Sequence, residues 1–474
     1  MRKWQDLLID DPGSYYDVDQ MWPTNRGSYE SADFATSTDY TGATAGAVSY
    51  AWAGGVINTN AINPEYVVTA TKIWQYDPAD VGSVMADVTG GVSVGARPQM
   101  AAFGNATICV MGSPLGALSG VDTVYAATSA SNFAALTGSP QGHSVVVAFN
   151  AVWIFNTDNG SSAFEMSDVG DHTNWSTGEW FSGVVYDGAG PINGAVEFGG
   201  AVYSSKMDNI VRHRYVGGIQ KVDTQTVWSG AGCGSRNAIC AGATGILYAG
   251  YLKTDVGSPT TPFYWFDGVN PPTLTNPFTS IGNSSSVWTI VYDAHRDIFT
   301  AYDRAALAWY YFSPKMMAWG RATVPYGASP GNIKIVDGQG IYGRRNPSPT
   351  TPGWVTPSAD VLRRFSPTQT GTGSCYVETA KYGRPDRKTR YLRVTPKLRR
   401  RVDLGTDSAS LTASFFRECE DTSAASTKTV AESGSRKRFD LTAEDNYARF
   451  KVTYTDLDVE VDDIAVKTAD AGEE

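Results

Sequence analysis

The chain has 474 residues and a net charge of −10, with 49 glycines, 25 tyrosines and 13 tryptophans but only 18% charged residues. That charge excludes a protein that wraps nucleic acid in a basic groove, although an acidic channel through which DNA slides remains compatible with it. Abundant glycine and aromatic side chains point to short strands joined by tight turns, not to long helices.

The start, MRKWQDLLIDDPGSYYD, lacks the apolar core of a secretory signal, and no apolar run is long enough for a transmembrane helix. Synthesis in a cytoplasm without disulfides is expected. Cys109, Cys233, Cys240, Cys375 and Cys419 are odd in number and widely spaced, as buried free thiols are. Residues 1–44 are polar and aromatic without clear period and read as an N-terminal arm that packs on a neighbour.

From residue 45 to 370 a short strand, a tight turn and a second strand recur. The turns fall at Phe103-Gly104-Asn105, Phe149-Asn150, Phe198-Gly199-Gly200, Ala243-Thr244-Gly245, Asp293-Ala294-His295 and Asp337-Gly338-Gln339. Their spacing of about 44 to 50 residues is that of propeller blades. An aromatic strand also recurs: Ile73-Trp74-Gln75-Tyr76, Val124-Tyr125, Ala163-Phe164-Glu165-Met166, Ile210 through Tyr215, Phe263-Tyr264-Trp265-Phe266, Trp309-Tyr310-Tyr311-Phe312 and Val361 through Phe365. Six or seven units follow, each unable to bury both faces alone, so they must pack side by side around an axis. The expected class is all-β: a β-propeller-like repeat of six or seven blades with an additional C-terminal β-sandwich-like domain.

A Pro-rich linker, Asn346-Pro347-Ser348-Pro349-Thr350-Thr351-Pro352, precedes a change of texture near residue 371. Two-residue alternation then appears in Arg390-Tyr391-Leu392-Arg393-Val394 and in residues 447–454, as in half-buried antiparallel strands. Residues 371–474 therefore read as a separate β domain. Residues 381–401 carry +9, leaving −19 for the remainder. Arg387, Lys388, Arg390, Arg393, Lys397, Arg399, Arg400 and Arg401 form the candidate docking patch for an acidic partner or phosphates; a solvated strand face explains them equally well.

Catalytic patterns are weak. Gly91-Val92-Ser93-Val94-Gly95 matches GxSxG, but Arg97-Pro98 follows in place of a helix. There is no Walker A pattern and no CxxC, and His213, Cys233 and Cys240 do not have zinc-ligand spacing. Ser167-Asp168-Val169-Gly170-Asp171-His172-Thr173-Asn174-Trp175 is similar to the Asp-box of sialidases, with Met166 where the box has Ser and Asn174 inserted before the Trp. The box is a structural turn even there. No catalytic residue, metal or cofactor is expected, and the chain reads as a non-enzyme.

Several phrases together resemble the tail hub or nozzle proteins of short-tailed bacteriophages, related to packaged-DNA stabilisation proteins. They are Ala148-Phe149-Asn150-Ala151-Val152-Trp153-Ile154-Phe155 with the 166–175 turn; Gly232-Cys233-Gly234-Ser235-Arg236-Asn237-Ala238-Ile239 with Gly245-Ile246-Leu247-Tyr248 and Phe263-Tyr264-Trp265-Phe266-Asp267-Gly268; and Ile290-Val291-Tyr292-Asp293 through Ala318-Trp319-Gly320-Arg321. Asp171-His172 departs from the family's Asp-Pro. The resemblance implies a structural virion protein in the tail, a homo-oligomeric ring expected to be a hexamer. Such a ring sits below portal and adaptor proteins, carries fibres or spikes, retains the packaged genome, and passes DNA without sequence-specific contact. The alternatives are a β-propeller binding module for protein or glycan, a propeller glycosidase, or a receptor-binding fibre.

Overall fold

The computed structural model describes residues 131–250 without a break. Around that span it describes 65–69, 71–76, 86–94, 98–111, 122–128, 262–275, 288–293, 297–303 and 308–322, together with the strands between 15 and 53 and those between 354 and 470. Among the described residues the regular structure is β-strand, apart from one 3-10 turn at Arg236–Ala238. Contacts divide the chain into two units. One comprises residues 35–307 and 330–365, the other 1–34, 308–329 and 366–474.

The first unit repeats a four-stranded antiparallel meander. Sheet one is Val48–Ala53, Glu65–Thr69, Ile73–Tyr76 and Ala86–Asp87. Sheet two is Gln99–Phe103, Ala106–Val110, Val124–Thr128 and Ala134–Ala135. Sheet three is Gly142–Ala148, Ala151–Thr157, Gly160–Met166 and Phe181–Val184. Sheet four is Gly194–Phe198, Ala201–Ser205, Asn209–Gly217 and Lys221–Ser229, and sheet five is Ile239–Ala241, Ile246–Ala249, Phe263–Phe266 and Thr273–Leu274. The hairpin of Trp288–Asp293 and Ile298–Asp303 follows.

First strands of successive sheets are neighbours: Gln99–Phe103 lies against Gly142–Ala148, which lies against Gly194–Phe198, then Ile239–Ala241, then Trp288–Asp293. This is a β-propeller-like architecture. Four of the six expected turns join the first and second strands of their sheets, and of the fifth, Asp293-Ala294-His295, Ala294 and His295 lie outside the described residues. The sixth, Asp337-Gly338-Gln339, lies outside the described residues. The aromatic signals through Phe263–Phe266 are the third strands.

Side-chain alternation explains the stacking. In sheet three Val145, Val152 and Ile154 pack on Phe103, Ile108 and Val110 of sheet two. Their sequence neighbours Val146, Trp153 and Phe155 pack on Ala195, Val202 and Val211 of sheet four. Sheets one and two meet in the same way through Tyr66, Val68, Met100 and Cys109. Each inner sheet is thus apolar on both faces, so its strands read as continuous apolar runs.

The second unit holds two runs of strands. One follows the order Tyr15–Asp19, Cys375–Thr379, Tyr447–Tyr454, Ser410–Phe416, Ser426–Ala431. The other contains Met21–Pro23, Tyr29–Ser31, Val459–Asp470, Thr389–Arg400 and Phe439–Asp445. Tyr391 of the second run meets Phe415 and Phe450 of the first, with ring centroids 5.6–5.8 Å apart. The expected arm therefore contributes strands: Tyr15–Asp19 pairs antiparallel with Cys375–Thr379, and Tyr29 and Glu30 pair with Val461 and Glu460.

Candidate functional site

The turn after the third strand of sheet three is the Asp-box-like segment. Asp168 sits at its centre, one oxygen accepting from the backbone N–H of Val169 (2.9 Å) and Glu179 (2.7 Å), the other from the Asn174 amide (3.1 Å). The inserted Asn174 thus completes the turn. Asp171 accepts from the amide and hydroxyl of Thr173, which hold its carboxyl below the usual range. Trp175 is buried between sheets two and three, its indole donating to the His172 carbonyl at 2.8 Å. Gly178 is obligatory: its φ is +67°, and a Cβ would lie 2.4 Å from the Asp168 carboxylate. All these groups are spent on one another, which makes the segment a rigid turn.

His213 makes a hydroxyl–imidazole–hydroxyl chain, with Nε2 2.8 Å from Ser204 Oγ and Nδ1 3.2 Å from Thr224 Oγ1. The geometry resembles a nucleophile and its base. Ser204 is only 1% exposed, however, and the imidazole lies 4.6 Å from the Phe164 ring, with Trp153 and Phe155 around it. Burial pushes His213 down to about 3, far too weak a base for work at neutral pH. It is a neutral core group.

The Gly232–Ile239 phrase fastens sheets together. Ser205 Oγ accepts from Cys233 N (2.7 Å), and Asn193 donates to the Cys233 carbonyl (2.9 Å). Arg236, wholly buried, donates to the His143 carbonyl on the first strand of sheet three at 2.5 Å. It lies against Gly194, where a Cβ would come within 2.9 Å of the Arg236 Cα. Burial pushes the Asp122 carboxyl up and the Arg236 charge offsets part of that. Burial also pushes the thiols of Cys233 and Cys240 up to about 12, so they are poor nucleophiles. Sequence reasoning singled out neither His213 as a core group nor Arg236 as a strut; the one available signal was an arginine standing among small residues.

In the GxSxG match, Ser93 is exposed on a stretch with no helix among its described residues, so no nucleophile elbow forms there. Among the described residues no group of three His, Cys, Asp or Glu is placed to hold a metal.

The basic segment is the strand Thr389–Arg400; Arg387, Lys388 and Arg401 lie outside the described residues. Its register sets cation opposite acid: Arg390 with Glu444, Arg393 with Asp440, Lys397 with Asp463, Arg399 with Glu460. Arg393 Nε bonds Asp440 at 2.8 Å. A bulge at Leu392 lets Tyr391 and Val394 both be buried while Arg390 stays exposed and Arg393 half-buried. Arg400 is one register step beyond Arg399, opposite Val459. Among the described side chains, Arg393 is the cation of this strand shown bonded to an acid of its own sheet.

No family model matches the sequence, and no curated protein matches it. Among solved structures, a glycoside hydrolase is similar over 78% of this chain and 97% of its own, at 8% identity and a TM-score of 0.25. An ancestral GH74 enzyme is similar over 80% of this chain and 53% of its own, at 12% identity and a TM-score of 0.34. Likeness at that level carries no argument about activity.

Proposed function

We propose that this chain is a structural virion protein, the tail tube or nozzle subunit of a short-tailed phage. In this reading it forms a ring around a DNA channel that retains the packaged genome and passes it during ejection. The supporting observation is where the family-like phrases fall. Ala148 through Phe155 forms the turn and most of the second strand of sheet three, and 166–175 the turn after its third strand. Gly232 through Ile239 fastens sheet five to sheet four, and Phe263–Phe266 is the third strand of sheet five. The phrases thus mark successive framework positions of one repeat.

In this reading the propeller has seven blades. The five meanders and the 288–303 hairpin give six, and Trp354–Ser358 with Val361–Ser366 and Phe34–Thr41 gives the seventh. Residues 371–474 add a β-sandwich joined by the Tyr391, Phe415 and Phe450 rings. In this reading the lumen shares the acidic character of the chain, whose net charge is −10, so it repels the DNA backbone and the polymer slides during ejection. The strand 389–400 offers an adaptor a mixed, charge-matched surface, which sets register more than affinity.

Imaging the purified protein in negative stain, alone and with capsid-side tail components, tests the reading. Rings with a hole wide enough for duplex DNA support it. Compact monomers that bind no tail part sink it in favour of the second reading, a binding propeller, which the exposed Tyr186, Ile219 and Val269 favour. Replacing Arg390, Arg393, Lys397 and Arg399 by Glu tests the docking strand: a folded variant that still assembles and binds adaptor removes it from the account.

A further inference from the structure

We propose that Asn159-Gly160 modifies itself: Glu165 stands on the leaving nitrogen of an asparagine that glycine follows, so the pair closes to a cyclic imide, releases ammonia and opens to aspartate or isoaspartate. The sequence holds two Asn-Gly pairs, Asn159-Gly160 and Asn193-Gly194, and the fold treats them oppositely. Asp158 and Asn159 form the exposed turn between the second and third strands of sheet three, with Thr157 paired to Gly160. Around Gly160 the space is open: a Cβ there would meet the Cβ of Ala163, at 3.9 Å. Gly160 therefore leaves its amide nitrogen free of side-chain cover.

Glu165 reaches back to this turn from the third strand. Its Oε1 lies 2.6 Å from Asn159 Nδ2, and Glu165 is only 5% exposed. Burial pushes its carboxyl above the usual range; the Asn159 amide and the Trp180 indole offset part of that rise, and Asp158 adds to it. A carboxyl so placed holds its proton to higher pH than a solvated one, and a general acid within hydrogen-bond reach of the departing nitrogen is what loss of the amide calls for. Asn193 has no such neighbour. It is buried, and its amide donates to the Cys233 carbonyl at 2.9 Å, an oxygen with no proton to return. A Cβ on Gly194 would lie 2.9 Å from the Arg236 Cα, so that peptide is packed in.

Water is the one outside reagent. The Gly160 amide nitrogen attacks Asn159 Cγ and its proton passes to solvent. Glu165 gives a proton to Nδ2 as the Cγ–Nδ2 bond breaks, ammonia leaves, and solvent returns a proton to Glu165. Water then adds to one of the two imide carbonyls. Opening on one side gives aspartate; opening on the other gives isoaspartate, with the backbone running through the former side chain. Either product puts a new carboxylate in the turn that already holds Asp158 and the end of Glu165. An acceptor then faces an acceptor and like charges meet, so the bond that ties the turn to the third strand is lost.

The test holds the purified full chain warm at neutral pH and follows acid formation at Asn159 and Asn193 by peptide mapping in a mass spectrometer. The variant is Glu165→Gln, whose side-chain oxygen can still accept from Asn159 but which has no acidic proton to give. Asn159 is expected to convert roughly tenfold faster than Asn193 or more, and roughly tenfold slower or more in Glu165→Gln than in wild type. Conversion of Asn159 no faster than that of Asn193, or equally fast in wild type and variant, overturns the proposal. Should the variant's melting curve show misfolding, a pH series on wild type decides. A rate that levels off as Glu165 ionises supports the acid, and a rate that climbs about tenfold per pH unit throughout, as hydroxide alone would give, overturns it.

Discussion

In sheet three every residue of Ala151–Thr157 is buried, whereas in the strand 389–400 the buried Tyr391, Val394 and Pro396 are interleaved with the exposed Arg390 and half-buried Arg393 and Thr395. Both are antiparallel strands with a neighbour on each side. What differs is the number of covered faces. A propeller-like sheet is packed fore and aft, so polar groups there must be satisfied within the sheets, as His213 and Arg236 are. The strand 389–400 is covered differently: Arg390 is exposed, Arg393 bonds Asp440, and acids stand at the register positions opposite Lys397 and Arg399. Stability of the first region thus rests on volume, that of the second on one apolar face plus charge register.

The largest effect that sharpens this contrast is expected at Trp153, stacked near Phe155 and Phe164 between sheets three and four. Trp153→Ala should cost about 3–5 kcal/mol in urea unfolding followed by circular dichroism. A loss below 1 kcal/mol on that scale would show that the two-sided packing matters little. Next is Arg449, whose side chain is 9% exposed, paired with Glu378 and lying over the Phe416 ring. Arg449→Ala should cost roughly 3–5 kcal/mol, and Arg449→Met with Glu378→Leu should recover most of it. An unrecovered double variant would mean that charge, not shape, is required at that position.

A third test uses acid. Folded His213 stays neutral down to about pH 3, while the unfolded chain takes up its proton near the ordinary 6.5. Between those values the unfolded state binds more protons, so stability falls as pH drops from 6.5 toward 3. His213→Gln should flatten the urea midpoint against pH across that window; parallel curves for variant and wild type would remove His213 from the acid response. The smallest effect is expected at the surface. A double-mutant cycle on Arg393 and Asp440, with side chains 29% and 61% exposed, should give a coupling of about 0.2–1 kcal/mol. A coupling well above this would make the charge register a structural element in its own right.

The propeller-like repeat was legible because its turns are written locally. Phe149 and Asn150 both take left-handed backbone, with φ of 54° and 55°, and Gly199 and Gly200 do the same at the equivalent turn. The partners of the basic strand were not legible. Asp440, Glu444, Glu460 and Asp463 lie some distance along the chain, and a charge count over 381–401 cannot see who stands opposite. The bulge at Leu392 was hidden as well, since Arg390 through Val394 reads as plain alternation. Tyr15–Asp19 gave no sign of its pairing with Cys375–Thr379, because a pairing across most of the chain leaves no local periodicity. Polar groups at the sheet junctions were missed for a related reason: a histidine or arginine in sequence does not announce which face it will occupy.

The pairing of early strands with late ones has a consequence for synthesis. Each four-stranded meander closes on neighbours already emerged from the ribosome, so sheets one to five can form in the order they are made. Tyr15–Asp19 must wait for Cys375–Thr379, and Tyr29–Ser31 must wait for Val459–Asp470. Until then their backbone edges stand open to any passing strand. Val459–Asp470 is therefore the strand that seals Tyr29–Ser31, and a chain stopped short of residue 459 leaves the ribosome with sheets one to five formed and that early edge open to aggregation.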